Sequence, residues 1–356
     1  MNASYIYLSK AQRLNAVQRL TALWAFTESG LGGIMHALQI PFTGLLVGGM
    51  AVIMISLIAD ISGNNYKQVL KSALIVLIIK AMVSPYTPFP AYIAVAFQAA
   101  LGYGLFSLLK VNFLSIVLLS TIAMLESAIQ KSLILTLFFG ESLWKAMDSM
   151  MAFLANQFGT NMSHGGYWIV GIYLLIYLAG GFFIAWLAFR TIKSFKTKNS
   201  NFILNAATET NIDFVKAKKS SGKNNFKKLW ILILFMIVLS VLLFVFANDN
   251  KQGWLAVAKT ITWTLSAILF WFMLIGPLFT KTIQKLLQKK ESRYRDEVLK
   301  ALSFLPVISM LTALAWQQSK LQRGFGRWHF FFAALIHATL TYSEPSSTEI
   351  STNKPL

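Results

Sequence analysis

The feature that most constrains the fold is a series of apolar stretches, each close to the length of a membrane-crossing helix, separated by polar or basic segments. A transmembrane helix needs about 20 mostly apolar residues. Of the residues, 56% are hydrophobic and 13% are charged, against about 25% charged residues in a typical soluble domain. The sequence therefore predicts an all-α, polytopic membrane helix bundle and excludes an ordinary soluble protein.

The apolar stretches give a count of the predicted spans. We count eight of them as candidate spans, and one further stretch as short for a span. The eight cover residues 20–38, 42–59, 69–83, 89–109, 113–139, 167–189, 229–247 and 254–279, and the short one covers 328–342. Glu28 and three glycines interrupt the first stretch and weaken it. Between the fifth and sixth spans, residues 141–158 are predicted to form an amphipathic helix at the membrane interface.

The net charge of +19 comes from basic residues between the apolar stretches, and it predicts the orientation. Lys and Arg collect in the cytoplasmic loops of membrane proteins. With a cytoplasmic N-terminus, the basic segments 191–228 and 281–300 fall on one side and the uncharged loop 84–90 falls on the other. We therefore expect a multi-pass protein whose basic residues contact membrane lipids and not nucleic acid. The Lys- and Asn-rich composition, without a secretion signal, fits the bacterial inner (cytoplasmic) membrane.

Composition divides the chain into four parts. Residues 1–190 are predicted to form a six-span membrane bundle, and 191–228 a basic cytoplasmic linker. Residues 229–342 are predicted to form a C-terminal membrane module with two or three helices, in which 281–327 is a basic amphipathic segment. The polar tail, 343–356, is predicted to be disordered.

Catalytic and metal-binding patterns are missing from the sequence. It contains no GxxxxGK[ST], HExxH or GxSxG motif, and its four histidines have no spacing that is typical of metal ligands. It contains no cysteine, which excludes a thiolate site. The chain is therefore expected not to be an enzyme, and to have no catalytic residue, metal or cofactor of its own.

Ionisable side chains within the spans are the main candidates for a ligand site, because they are costly in a bilayer and usually face a cavity or each other. Glu126 and Gln130 are four residues apart and share one face of the fifth span. They either form the polar wall of a site, with Glu28 or Glu126 paired to Lys80, or hold helices together. Lys80 lies near the outer end of its span, where it could instead extend to the interface.

Two predicted outer loops contribute further candidates. The proline-rich segment 84–92 ends in Tyr92, and the segment 32–44 contains His36. Aromatic and amide groups that converge on one face fit the capture of a small organic molecule. The alternative for His36 is a role in stabilising the turn.

Small residues form a regular pattern in the fourth span. Ala96, Ala100 and Gly104 recur every four residues, which allows another helix to approach closely. The stripe either packs within its own bundle or is the docking face for a partner membrane protein.

Residues 1–190 resemble the substrate-binding S components of energy-coupling-factor (ECF) vitamin transporters. The resemblance lies in six spans with both ends inside, a glycine-rich first pair of helices, the turn IPFTG at 40–44, and a proline-rich outer loop before the small-residue helix 91–104. It implies a subunit that binds a vitamin-like micronutrient from outside and docks on a transmembrane T component driven by two ABC-type ATPase subunits.

The resemblance also implies roles for particular residues. Substrate contacts would be Glu126, Gln130, His36 and Tyr92, and docking residues would be Ala96, Ala100 and Gly104. Lys80, selected above as an ionisable residue of a span, completes the predicted substrate-binding set. The family's docking face is usually on the first helix, which Trp24 and Phe26 interrupt here.

The second half of the chain departs from the S-component pattern, because two more spans follow the sixth. Gln322-Arg323-Gly324 is similar to the Ala-Arg-Gly motif of T-component coupling helices, with Gln in place of Ala, and this implies that Arg323 and Gly324 contact ATPases. The alternative is an amphipathic helix that lies on anionic lipid. We expect a transport protein, and the rival class is a non-transporting structural or assembly membrane protein.

Overall fold

A computed structural model of the chain describes residues 10–37, 42–84, 87–159, 165–196, 270, 276–322 and 324–342. Every extended regular element within these residues is helical, which confirms the all-α prediction. The helices are α1 (Lys10–Phe26), α2 (Gly32–Ala37), α3 (Thr43–Ile61), α4 (Lys67–Val83), α5 (Phe89–Leu109), α6 (Phe113–Phe139), α7 (Glu141–Gln157), α8 (Gly165–Lys196), α9 (Gly276–Ser319) and α10 (Phe325–Thr341). A π-helical turn, Thr27–Leu31, joins α1 to α2 without a break.

Five stretches in the described part of the chain are long and apolar enough to cross a membrane. They are Thr43–Ile61, Phe89–Leu109, Phe113–Phe139, Gly165–Ser194 and Glu291–Ser319. The first four coincide with predicted spans, so the protein has the character of a multi-pass membrane protein. The predicted span 229–247 lies outside the described residues, as do most of 254–279 and of the linker 191–228, and the whole tail 343–356.

The C-terminal part differs from the prediction at α9. This helix has 44 residues, with non-helical dihedral angles only at Tyr294, and its second part has the length and hydropathy of a span. The sequence prediction instead treated 281–327 as a basic amphipathic segment. It gave too much weight to the basic residues before 300 and overlooked the apolar run 301–316. The short stretch 328–342 is α10, a helix of 17 residues.

The described elements belong to two compact units, of which the first contains α1–α5, α6 as far as Lys131, α8 from Val170, α9 and α10. At its centre lies α3, with 78% of its most apolar window buried, against 33% for α5. A helix that is apolar on all sides is expected to be surrounded by others. Around it, α1 packs against α3, α4, α9 and α10, and α5 packs against α3 and α4.

Two glycines allow spans of the first unit to approach closely. A Cβ atom at Gly102 of α5 would lie 2.5 Å from Ile55 Cγ2 of α3, and one at Gly49 of α3 would lie 2.6 Å from Ile184 Cδ1 of α8. Real Cβ atoms do not come so close to a neighbour, so a larger residue would require Ile55 or Ile184 to shift. The small residues at these positions therefore fix the packing of α5 and α8 on α3.

The second unit, in its described part, contains the end of α6, all of α7 and the start of α8. The backbone N–H of Gly166 donates a hydrogen bond of 2.6 Å to Asp148 Oδ1. A Cβ atom at Gly165 would overlap the side chain of Met151, so glycine is needed where α8 begins beside α7. Residues 141–158 were predicted to form a helix, and α7 (Glu141–Gln157) confirms that helix.

Candidate functional site

A buried ion pair joins the π turn to α4. Lys80 Nζ donates a hydrogen bond to Glu28 Oε2 at 2.7 Å, and each side chain is only 3% exposed. Lys80 also lies 5.9 Å from the centre of the Tyr92 ring on α5. Of the two acidic partners proposed for Lys80 from the sequence, the structure places Glu28 beside it. Because Lys80 is buried, its side chain does not extend to the interface.

The parallel course of α1 and α4 produces this pair. Thr21 Oγ1 donates a hydrogen bond of 2.8 Å to Ser72 Oγ, and the Glu28–Lys80 contact follows about two turns further along both helices. Two buried charges must offset a large desolvation cost, and they do so only as long as both partners remain. The packing of the surrounding helices therefore depends on both members of this pair being present.

A second group of polar side chains collects beside two glycines of α3. A Cβ atom at Gly48 would lie 3.0 Å from Gln98 Nε2 and 3.8 Å from Ser127 Oγ. One at Gly44 would lie 3.6 Å from the same Ser127 oxygen and 3.7 Å from the Tyr177 hydroxyl. Side chains from α5, α6 and α8 therefore meet at the glycine face of α3.

Aromatic rings form one wall of this region. The rings of Tyr173 and Tyr177, one turn apart on α8, have their centres 4.9 Å apart. Phe42, at the start of α3, lies 6.2 Å from the first ring and 6.0 Å from the second. We call Gln98, Ser127, Tyr173 and Tyr177 the polar cluster.

Some buried polar atoms in and next to the polar cluster have no hydrogen-bond partner among the residues that the structure describes. They are Gln98 Oε1 and, on the residue that precedes Ser127, Glu126 Oε2. Gln98 is only 2% exposed. Most buried polar atoms in proteins are hydrogen-bonded, because a buried acceptor without a partner costs about 1–3 kcal/mol. These atoms have the capacity to bind donor groups of a small molecule or of water.

The predicted substrate-binding residues fall into two places. Lys80 and Tyr92 lie together at the buried ion pair, with Tyr92 only 6% exposed. Glu126 and Gln130 lie one turn apart on α6, and Gln130 Nε2 donates a hydrogen bond of 3.2 Å to the Pro90 carbonyl of α5. His36 belongs to α2, and its side chain lies outside the described residues.

Sequence reasoning did not select the members of the polar cluster. Two signals were available: Gln98 is the only amide side chain in α5, and Tyr173 and Tyr177 are four residues apart on α8. Neither signal shows that these residues meet, because the meeting depends on how α5, α6 and α8 pack on Gly44 and Gly48.

The predicted docking residues lie on exposed surface where they are described. Ala96 and Ala100 are exposed on α5, and a Cβ atom at Gly104 would meet nothing within 4 Å among the described residues. Gly324, with φ of 63°, precedes α10 and is exposed. Arg323 lies outside the described residues.

Within the described ranges, no group of three or more His, Asp or Glu side chains is placed to hold a metal ion. No family model matches the chain, and comparisons with curated proteins and with solved structures give no match.

Proposed function

We propose that this protein is a membrane transport protein, specifically a subunit that binds a small, vitamin-like micronutrient and works with separate ATPase subunits. The observation that supports this best is the polar cluster, where buried acceptor atoms without a described partner lie beside the closely spaced rings of Tyr173 and Tyr177. Ligand sites in proteins typically combine apolar, aromatic walls with a few convergent polar groups. The resemblance of residues 1–190 to S components supports the same class.

The chemistry of the polar cluster suggests what the substrate looks like. The aromatic wall formed by Tyr173 and Tyr177 suits a flat, partly apolar molecule. Gln98 Oε1 and the Glu126 carboxylate are acceptors, so a substrate with N–H donors or a positive charge would complete their hydrogen bonds.

The remaining parts of the proposal concern orientation and partners. The subunit lies in a bacterial inner membrane with its N-terminus in the cytoplasm, as the charge distribution predicts. A T component docks on the exposed stripe Ala96, Ala100 and Gly104, and ATPase contacts involve Arg323 and Gly324.

The alternative is a non-transporting structural or assembly membrane protein. The Glu28–Lys80 pair favours it, because each charge satisfies the other and the pair joins two parts of the bundle without needing a ligand. On that hypothesis, the polar atoms of the spans serve only helix packing.

The test is to purify the protein from its native membrane in mild detergent and to identify by mass spectrometry the small molecules and proteins that copurify. We expect a stoichiometric small molecule that Glu126→Gln and Gln98→Leu both abolish with little change in melting temperature. Glu141→Gln is the matched control, because Glu141 pairs with Lys145 at an exposed site of α7. If no small molecule or ATPase copurifies, and both variants change only stability, the transport proposal fails.

A further inference from the structure

An open groove lies between the start of α6, the last turns of α8 and the start of α10. Its volume is about 740 Å³, within the roughly 300–1,000 Å³ that is common for ligand sites. The stretch of α8 that is long and apolar enough to span a membrane, Gly165–Ser194, ends at a residue that lines this groove. The groove therefore lies at the end of the apolar part of α8. None of the residues that bind substrate in the proposed function lines it.

Cations and an indole ring form one side of the groove. Arg190 and Lys193 lie about one turn apart near the C-terminus of α8, and both are exposed. The Arg190 guanidinium carbon lies 5.1 Å from the centre of the Trp186 ring. This distance fits a cation–π contact, which uses the face of the guanidinium and none of its N–H groups.

His329, from α10, adds a polar group to the same groove. Its Nε2 atom is buried and has no hydrogen-bond partner among the described residues, and its ring centre lies 6.4 Å from that of Trp186. Burial, and then the positive charge of Arg190, lower the pKa of His329 below its usual range. At neutral pH the imidazole is therefore uncharged, and it can donate one N–H to an anion or accept a hydrogen bond from a headgroup hydroxyl.

The remaining wall is apolar and exposed. Phe113 of α6 and Phe189 of α8 contact each other edge to face, with ring centres 5.2 Å apart, and they are 51% and 37% exposed. A free inorganic anion makes no favourable contact with an apolar wall. An amphiphile would contact both sides of the groove, because its charged group binds cationic surface and its hydrocarbon chain binds apolar surface.

A more general explanation accounts for the charge alone. Cations near the C-terminus of a helix interact favourably with its dipole, and basic residues collect on one side of a membrane. Neither effect requires an indole below the guanidinium, a buried imidazole nitrogen without a described partner, or two exposed phenylalanine rings next to the cations. These features together fit a bound ligand better.

We propose that this groove binds an anionic phospholipid. Arg190 and Lys193 contact the phosphate, His329 hydrogen-bonds to the headgroup, and an acyl chain lies along Phe113 and Phe189. Basic pockets between membrane helices are known sites for anionic headgroups.

The experiment measures lipid binding to the full chain by native mass spectrometry, with phosphatidylglycerol and phosphatidylcholine of identical acyl chains as probes. The wild-type protein should retain phosphatidylglycerol preferentially. Arg190→Gln with Lys193→Gln should reduce its affinity by roughly tenfold or more. The matched control, Lys10→Gln with Lys67→Gln, removes the same charge at exposed positions outside the groove and should leave the affinity unchanged.

Further arms separate this proposal from its alternatives. Inorganic phosphate at millimolar concentration should not displace the lipid, and displacement would mean a site for free phosphate. Equal binding of both lipids, or an equal loss of affinity in the control variant, would mean that binding is non-specific electrostatic attraction, and it would overturn the proposal. If the double variant does not fold, Lys193→Gln alone should still weaken the preference, and an unchanged preference would overturn the proposal.

Discussion

The carboxylate of Glu28 and the ammonium group of Lys80 are 2.7 Å apart, and both side chains are 3% exposed. A second pair in the same unit, Lys71 with Glu297, has nearly the same distance, 2.8 Å, but its side chains are 32% and 25% exposed. The two pairs therefore differ mainly in the solvent exposure of their side chains.

We predict that Lys80→Met destabilises the protein by about 3–5 kcal/mol, because it leaves the Glu28 charge buried without a partner. Glu28→Gln should have a similar effect, and the double variant should lose much less than the sum of the two. The measurement is unfolding in detergent followed by the loss of helical circular dichroism.

The control for this prediction is Lys71→Met. Its pair is partly solvated, so we expect a loss of only about 0.2–1 kcal/mol. Equal losses for Lys71→Met and Lys80→Met would contradict the role that we assign to burial.

We expect alanine to have opposite effects on stability at two glycines of α5 that are only two residues apart. Gly102→Ala should destabilise the bundle by about 1–3 kcal/mol, because the new methyl group would lie 2.5 Å from Ile55 Cγ2. Gly104→Ala meets no described atom within 4 Å and should stabilise the helix by about 0.5–1 kcal/mol. Melting temperatures of both variants test the packing of α5 on α3, and a stable Gly102→Ala variant would show that this packing is wrong.

The second part of α9 should lie within the bilayer. The chain has no cysteine, so a single introduced thiol can be labelled without background. Ser309→Cys, at an exposed position near the middle of this segment, should resist a membrane-impermeant maleimide in intact membranes, and Lys320→Cys, just beyond α9, should react from one side. Rapid labelling of Ser309→Cys would place α9 at the membrane surface.

Arg19 of α1 should hold the end of α10 in place. Its Nη1 donates hydrogen bonds of 3.3 Å and 2.8 Å to the carbonyls of Thr339 and Leu340, and its guanidinium lies 5.7 Å from the Phe304 ring centre. Arg19→Gln should lower the free energy of unfolding by about 1–3 kcal/mol. Hydrogen exchange of the last turn of α10 should then accelerate more than that of α4, whereas Lys10→Gln should change neither.

The sequence predicted four of the five stretches that are long and apolar enough to cross a membrane, because hydropathy alone identifies them. It predicted less at the C-terminus, where the basic residues of α9 before 300 concealed the apolar run 301–316. A charged segment followed directly by an apolar segment cannot be separated by composition when the window covers both.

The candidate site was predicted only in part, for a different reason. The ionisable residues Glu28 and Lys80 could be selected, because charges are rare in spans and need partners. Gln98 and Tyr177 could not, because neutral polar residues are common in membrane helices. Their importance comes from the glycine face of α3, which sequence alone does not place against α5 and α8.

The π turn at Thr27–Leu31 changes the direction in which side chains point around an otherwise continuous helix. A π turn contains one residue more than the α-helical turn it replaces, so the helix on its two sides differs by roughly 100° in rotation from a regular helix. Deleting one residue there would keep the helix intact but would turn α1 relative to α2. Either Glu28 would point away from Lys80, or the buried face of α1 would rotate away from α4 and α9 and lose its packing contacts with them. A length change of one residue is therefore more disruptive at this point than most substitutions.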